Sequence, residues 1–309
     1  MKNKIVLAFL ALLSGLYVMC VYSVKEDEFK DNSSDITELA DKYIHNKNNN
    51  ITAQHLLIQA ILKKNTNDIA KAIKNGADVN YVEDEENPLF SHSFGTPLDI
   101  AIEYSNPEIV TYLLKNSANP NLTYDYGKSP LMSAAKLESD DATITNILLQ
   151  YGAKPNMVDS DGYTALYYAW FSNNKTIMQA LVQGGADINK QFSEGRTLLS
   201  MEIYKYNSDV LLVKTMLELG ADPNISDDEG YTPLELEVTT GDVTIVNLLL
   251  KYGASVSRRA WMSAIDTLNN LTIIEALLLS GANKSVLPTS YIQKLNRIIK
   301  SPVKEVERD

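Results

Sequence analysis

Residues 230–254 read GYTPLELEVTTGDVTIVNLLLKYGA. Thr232 predicts a helix N-cap, and Pro233 suits the first helical position because its missing N–H would have no partner there. Glu235 follows Thr232 by three residues, so their side chains can form a capping box. A second apolar run ends at Gly253, and glycine readily adopts the left-handed conformation that ends a helix. The stretch therefore predicts two short helices in succession.

The same start and end signals recur along the chain. The start returns at Thr96, Ser129, Thr164, Thr197 and Thr232, at steps of 33, 35, 33 and 35 residues. The Gly-Ala end returns near residues 76, 117, 152, 185, 220, 253 and 281, with Ser in place of Gly at 117. A period of about 33 residues with a Thr-Pro-Leu start is a repeat signature. The chain resembles the ankyrin-repeat family over roughly residues 52–284, as an exported protein of bacterial type.

The resemblance implies an all-α repeat solenoid of six to seven ankyrin repeats. Each repeat would be a helix-turn-helix with a β-hairpin-like connection, and capping helices would close the ends. We expect the repeat domain at residues 51–284, then a C-terminal capping helix and charged tail at 285–309. The family's Thr-Pro-Leu-His motif has lost its histidine in every copy, and Glu202 and Glu237 stand where a small buried residue is expected. The middle of the array should therefore be less stable than a consensus protein.

The N-terminal 24 residues form a separate segment. Lys2 and Lys4 precede an uncharged run over residues 5–24, which just reaches the roughly 20 residues needed to span a bilayer. Three interpretations stay open: a transmembrane anchor, a signal peptide cleaved near Cys20 or Ser23, and a lipoprotein signal acylated on Cys20. Each exports the rest of the chain, which would be membrane-anchored facing outward, periplasmic or secreted. Residues 25–50 are predicted to be a polar spacer.

Composition excludes several functions. The net charge of −11 argues against nucleic acid, because phosphates demand a basic surface, and restricts membrane contact to the N-terminal segment. A single cysteine allows neither an intrachain disulfide nor a thiolate cluster. The three histidines lie in no metal-ligand or nucleophile pattern. We therefore expect no catalytic residues, no metal, no cofactor and no enzyme activity, and a monomeric chain.

One connection is unusually long. Twenty residues separate Gly76 from Thr96, whereas the next four equivalent intervals are 12 residues. The extra segment, residues 82–94, carries four consecutive acidic residues and two phenylalanines. It is either a solvated loop or a contact site, since long loops often carry function. An envelope enzyme or toxin-like factor using its carboxylates is the alternative function, together with an immunity factor that inhibits an enzyme.

Ankyrin proteins bind folded partners in a concave groove, lined by the hairpin tips and the exposed side of each first helix. Carried over by position, this predicts another protein as the partner and the following contact residues: Tyr104, Tyr126, Leu137, Asp161, Tyr163, Phe171, Glu194, Tyr204, Asp228, Glu229 and Tyr231. Tyrosine favours interfaces because it buries a large area and keeps a polar end. The alternative is that Tyr163 and Tyr231 pack on neighbouring hairpins, and that Phe171 and Tyr204 pack on each other.

Overall fold

A computed structural model describes residues 53–82, 95–104, 106–137, 139–205, 207–266 and 271–300. This part of the chain is an all-α repeat solenoid with 15 α-helices and no strand. The helices, in chain order, are α1 Ala53–Leu62, α2 Thr66–Lys74, α3 Pro97–Glu103, α4 Pro107–Lys115, α5 Pro130–Ala135, α6 Thr143–Gln150, α7 Ala165–Phe171, α8 Lys175–Gln183, α9 Leu198–Ile203, α10 Val210–Glu218, α11 Pro233–Thr240, α12 Val243–Lys251, α13 Arg258–Asp266, α14 Leu271–Leu279 and α15 Thr289–Lys300.

The predicted start signals cap the first helix of each pair. Thr232 accepts a hydrogen bond from the Glu235 N–H (3.4 Å), and the Glu235 carboxylate accepts from the Thr232 N–H (2.9 Å), which completes the capping box. Thr96, Ser129, Thr164 and Thr197 cap α3, α5, α7 and α9 in the same way through their side chains. Each satisfies an N–H that the helix itself leaves unpaired.

The predicted end signals close the second helix of each pair. In seven places the alanine of the Gly-Ala pair donates its N–H to the carbonyl five residues earlier, as in Ala153 to Leu148 (2.9 Å). The residue just before that alanine adopts a positive φ, a conformation that strains a glycine little. Ser117, which stands in place of the glycine in one copy, also adopts a positive φ of 72°, at a cost of about 1–2 kcal/mol.

The helix pairs stack through like helices. First helices contact each other in α1–α3, α3–α5, α5–α7, α9–α11 and α11–α13, and second helices in α4–α6, α6–α8, α10–α12 and α12–α14. The leucine two residues after each cap is at most 1% exposed, and these leucines form one row of the core: Leu98, Leu131, Leu166, Leu199 and Leu234. A single pair could not bury its apolar face alone, so stability comes from neighbouring repeats. Seven helix pairs follow one another in the described ranges, and the number of complete repeats stays a prediction.

A ladder of asparagines joins consecutive repeats and was not predicted from the sequence. The Asn156 side chain donates to the Gly185 carbonyl (2.9 Å) and accepts from the Asp187 N–H (2.8 Å) in the next repeat. The same two bonds recur at four other positions, Asn80, Asn121, Asn189 and Asn224. Each asparagine thus provides hydrogen-bond partners for two backbone groups at the end of a helix in the following repeat.

Replacing Asn156 by alanine should lower the free energy of unfolding by about 1–3 kcal/mol, because two backbone groups lose their partner. Urea unfolding followed by circular dichroism measures the change. Asn146→Ala, at an exposed position on α6, is the matched control and should be neutral or slightly stabilising. An equal effect of the two substitutions would contradict a structural role for the ladder.

The last helix pair lacks the Thr-Pro-Leu start. Ser257 accepts from the Ala260 N–H (3.0 Å), and α13 starts at Arg258. Only four residues then separate Gly253 from the capping residue, so this pair has no room for a hairpin. Trp261 is fully buried instead.

Helix α15 is the predicted C-terminal capping helix, and it covers the end of the array only in part. Leu295 is buried, whereas Ile299 is 50% exposed. Helix α15 contacts α13, where the Tyr291 hydroxyl and the Lys294 ammonium bind the Asp266 carboxylate at 2.5 and 2.6 Å. Polar contacts therefore hold part of the cap in place of the predicted apolar seam.

Several predictions concern residues outside the described ranges. These are the N-terminal segment 1–24, the spacer 25–50, the acidic loop 83–94 and the tail 301–309. Among the described residues, no helix is both long and apolar enough to span a bilayer.

Candidate functional site

Four hairpin tips, residues 124–128, 159–163, 192–196 and 227–231, form what we call the hairpin surface. In the second and fourth tips an aspartate organises the turn. Asp159 accepts from the Asp161 and Tyr163 N–H groups at 3.0 and 2.9 Å. Asp227 accepts from the Glu229 and Tyr231 N–H groups at 3.1 and 2.8 Å. These local bonds fix the tip and point the intervening side chains outward.

The first and third tips have an aromatic residue in place of that aspartate and turn by a different conformation. Tyr126 and Glu194 adopt positive φ values of 56° and 61°. Their carbonyls accept from the next tip, at 2.8 Å from the Ser160 N–H and 3.0 Å from the Asp228 N–H respectively. Adjacent tips are therefore connected in pairs by their backbones, which gives the surface a fixed spacing.

The predicted acidic contact residues all lie exposed on these tips. Glu194 is paired with Arg196 at 2.7 Å. Asp161, Asp228 and Glu229 are exposed and make no ion pair with the residues that the structure describes. The rim of the hairpin surface is thus negatively charged.

Tyr163 packs partly on the neighbouring hairpin, as the alternative interpretation predicts, whereas Tyr231 packs on an arginine of helix α13. The Tyr163 ring stacks on Tyr167 with centroids 3.9 Å apart and lies 6.2 Å from Phe192 of the next tip. The guanidinium of Arg259 lies 4.4 Å from the centre of the Tyr231 ring. Both rings therefore hold repeats together, and each leaves only part of its surface for a partner.

The expected packing between Phe171 and Tyr204 is wrong. Arg196 covers Tyr204 at 3.8 Å from its ring centre, and the Tyr204 hydroxyl donates to Asp227 at 3.3 Å. Phe171, the last residue of α7, is 65% exposed, and Tyr126 is 61% exposed. Large apolar groups are costly to leave in water, so these two rings are the most available for a partner.

Tyr104 and Leu137 are less accessible than predicted. Tyr104 is half-buried at the end of α3, and burial, assisted by the Glu103 charge, raises the pKa of its hydroxyl. Leu137 is half-buried after α5, where its carbonyl accepts from the Asn174 side chain at 3.5 Å. Leu137 thus lies at the far end of its helix from the hairpin tip.

A buried carboxyl lies beneath the first tip. Asp99, 3% exposed, occupies the position of the family's missing histidine. Its Oδ2 is 2.6 Å from the Thr96 hydroxyl, and its Oδ1 accepts from the Ser133 hydroxyl of the next repeat at 3.1 Å. Burial raises the pKa of Asp99 to about 7, against the smaller opposing effect of the hydrogen bonds to Thr96 and Ser133. The sequence marked this position only as a departure from the motif.

Glu202 shows how a carboxylate replaces the expected small residue. It is 1% exposed and accepts from the Trp170 indole (2.8 Å), the Lys205 ammonium (2.6 Å) and the Asp209 N–H (2.9 Å). A buried charge is tolerated when such bonds satisfy it. These bonds link α7 to α9 and α9 to the start of α10.

Comparison with known proteins agrees with this architecture. A family model described as "Ankyrin repeats (3 copies)" matches residues 57–157 and 98–192. The chain belongs to the ankyrin-repeat protein family. Beyond residue 192, the same helix caps and the same ladder asparagines continue the pattern in the structure.

Curated relatives match over short stretches. An ankyrin repeat protein of fowlpox virus (strain NVSL), FPV031, is 32% identical over 115 residues, 37% of this chain and 31% of that protein. The Gallus gallus Arf-GAP with coiled-coil, ANK repeat and PH domain-containing protein 2 is 37% identical over 81 residues, 26% of this chain and 10% of that protein. A Candida albicans glycerophosphocholine phosphodiesterase, GDE1, is 29% identical over 126 residues, 40% of this chain and 10% of that protein. The chain therefore covers less than a third of each.

Ankyrin repeats are a protein–protein interaction module, and such a domain is typically non-catalytic.

Proposed function

We propose that this protein is a non-enzymatic scaffold that captures another protein on its hairpin surface, on the exported side of a membrane. The exposed rings of Tyr126 on the first tip and Phe171 at the end of α7 carry the proposal, because large apolar groups are costly to leave in water. The N-terminal segment 1–24 would serve as the anchor or export signal, and residues 25–50 would hold the repeats away from the membrane.

The hairpin surface supports protein capture better than binding of a small molecule. The tips are joined in two pairs by backbone hydrogen bonds, so little ordering entropy is lost within each pair on binding. A standard interface buries about 1,600 Å², which requires contacts from several adjacent repeats. Aromatic side chains at the centre and charges at the rim match the general anatomy of interfaces.

The double substitution of Tyr126 and Phe171 by alanine should weaken partner capture at least tenfold, because aromatic anchors carry much of the binding energy. The partner would be identified by pull-down from the exporting compartment with mass spectrometry, then purified for a binding titration. Leu211→Ala, at a residue 56% exposed on α10, is the control and should bind like the parent. Unchanged affinity of the double variant, with unchanged helicity, would refute the hairpin surface as the capture site.

A further inference from the structure

Lys136 is a half-buried cation that forms no ion pair within the described part of the chain. It follows α5, and its Nζ lies 4.1 Å from the centre of the Tyr168 ring in the next repeat. That ammonium donates no hydrogen bond to any residue that the structure describes. Ammonium groups are seldom buried without an acceptor, because each N–H that loses water must find another partner.

The groups around Lys136 are already engaged elsewhere. Asp125 is paired with Lys128 at 2.9 Å. Asp159 accepts from two backbone N–H groups of its own tip and from the Tyr168 hydroxyl. The bond to Asp159 also holds the Tyr168 ring in place, so the ring fixes the ammonium above it. Among the described residues, both carboxylates near Lys136 therefore already have partners of their own.

Lys205 provides a comparison, because its ammonium also lies over an aromatic ring. Lys205 lies 4.4 Å from the centre of the Trp170 ring, much as Lys136 lies over Tyr168. Lys205, however, is paired with the Glu202 carboxylate at 2.6 Å. The two lysines therefore share an aromatic neighbour, and within the described residues only Lys205 also has a carboxylate in an ion pair.

We propose that Lys136, held over Tyr168, is a subsite for a carboxylate that the protein partner supplies from an aspartate or glutamate side chain. This inference rests on the proposed function and names the chemistry of one of its contacts. A singly charged carboxylate fits better than a phosphate, because Asp125 and Asp159 would repel a second negative charge.

The titration of Lys136 agrees with this geometry. Burial, assisted by the Lys128 charge, lowers the pKa of its ammonium from 10.5 to about 8, against the opposing effect of the Asp159 and Asp125 charges. An arriving carboxylate would stabilise the charged form and raise that pKa. The shift gives a spectroscopic readout that needs no partner.

The first experiment titrates the full chain, labelled with ¹³C on lysine, with sodium acetate, inorganic phosphate and sodium chloride at matched ionic strength. We expect acetate to shift the Lys136 Cε–Hε signal saturably and to raise its pKa, while Lys205 and the exposed Lys154 stay unchanged. A shift of all three lysines alike, no saturable shift, or a stronger response to phosphate would overturn the carboxylate assignment.

The second experiment measures affinity for the purified partner. Lys136→Met keeps the packing on Tyr168 and removes the charge, so affinity should fall at least tenfold, as for other desolvated interfacial charge pairs. Lys154→Met is the matched control and should bind like the parent. Loss of capture by the Tyr126 and Phe171 double variant with full capture by Lys136→Met would refute this inference alone. Full capture by both would refute the proposed function.

Discussion

Replacing Asp99 by asparagine is expected to stabilise the protein at pH 8 by up to about 4 kcal/mol, and to have almost no effect at pH 4. The carboxyl of Asp99 is raised from a pKa of 3.8 to about 7 in the folded protein because it is buried. Each pKa unit corresponds to about 1.4 kcal/mol of difference between the two protonation states. Asparagine has nearly the same shape and carries no charge at any pH.

The sign follows from where the proton is bound. Below about pH 4 the carboxyl is protonated in both states, so ionisation costs nothing. Between pH 4 and 7 the unfolded chain loses the proton while the folded chain keeps it, so the free energy of unfolding falls as the pH rises. Above about pH 7 both states are ionised, and the folded state carries the full cost of a buried charge.

The measurement is urea unfolding of parent and Asp99→Asn protein from pH 4 to 8.5, with the difference in unfolding free energy plotted against pH. The difference removes the contributions of all other titrating groups. Asp161→Asn, at an exposed carboxylate, is the matched control and its effect should vary far less with pH. A variant that is less stable than the parent at pH 8 would show that Thr96 and Ser133 stabilise the ionised carboxylate by more than burial costs.

The scaffold was predictable because its signals are local. The Thr232–Glu235 capping box and the left-handed residue before each terminal alanine depend on residues within one helix, and the structure contains both. The asparagine ladder was also within reach, since an asparagine follows the Gly-Ala pair at a fixed distance in five copies. The backbone groups that each asparagine binds lie about one repeat further along the chain, so the constant spacing between copies indicates the pairing.

The candidate site was less predictable because exposure depends on the neighbouring repeat. Tyr163 and Phe171 belong to the same repeat and were predicted as equivalent contacts. Phe192 of the next tip partly covers Tyr163, whereas Phe171 stays 65% exposed. Nothing within one repeat distinguishes these two cases. The same holds for Lys136, because only the structure shows that the described carboxylates near it are paired with other groups.

Glu202→Ala should cost about 3 kcal/mol of unfolding free energy and is the second large effect that we expect. The substitution leaves the buried Trp170 indole and the Asp209 N–H without an acceptor, and removes the charge that pairs with Lys205. Breaking a buried pair costs about 3–5 kcal/mol. The lower end applies because the Lys205 side chain is 44% exposed and can turn its ammonium to water.

Two further variants separate the charge from the hydrogen bonds. Glu202→Gln keeps one acceptor for the Trp170 indole and should cost less than Glu202→Ala. Glu202→Met fills the volume with an apolar group, and buried ion pairs replaced in this way are often neutral or more stable. Because the Trp170 and Asp209 N–H groups would remain buried without an acceptor, we expect Met to be destabilising here, by about 1–3 kcal/mol for each unsatisfied group.

The position of the Trp170 indole proton in the NMR spectrum tests the cause directly. It should shift in the Ala and Met variants, which lack an acceptor, and stay close to its parent position in Glu202→Gln. Glu229→Ala, at an exposed tip carboxylate, is the control for both stability and the indole signal. If Glu202→Met is as stable as the parent, the three hydrogen bonds contribute no net stability. In that case the Glu202 carboxylate determines the relative position of α7 and α9 and does not add to the stability of their packing.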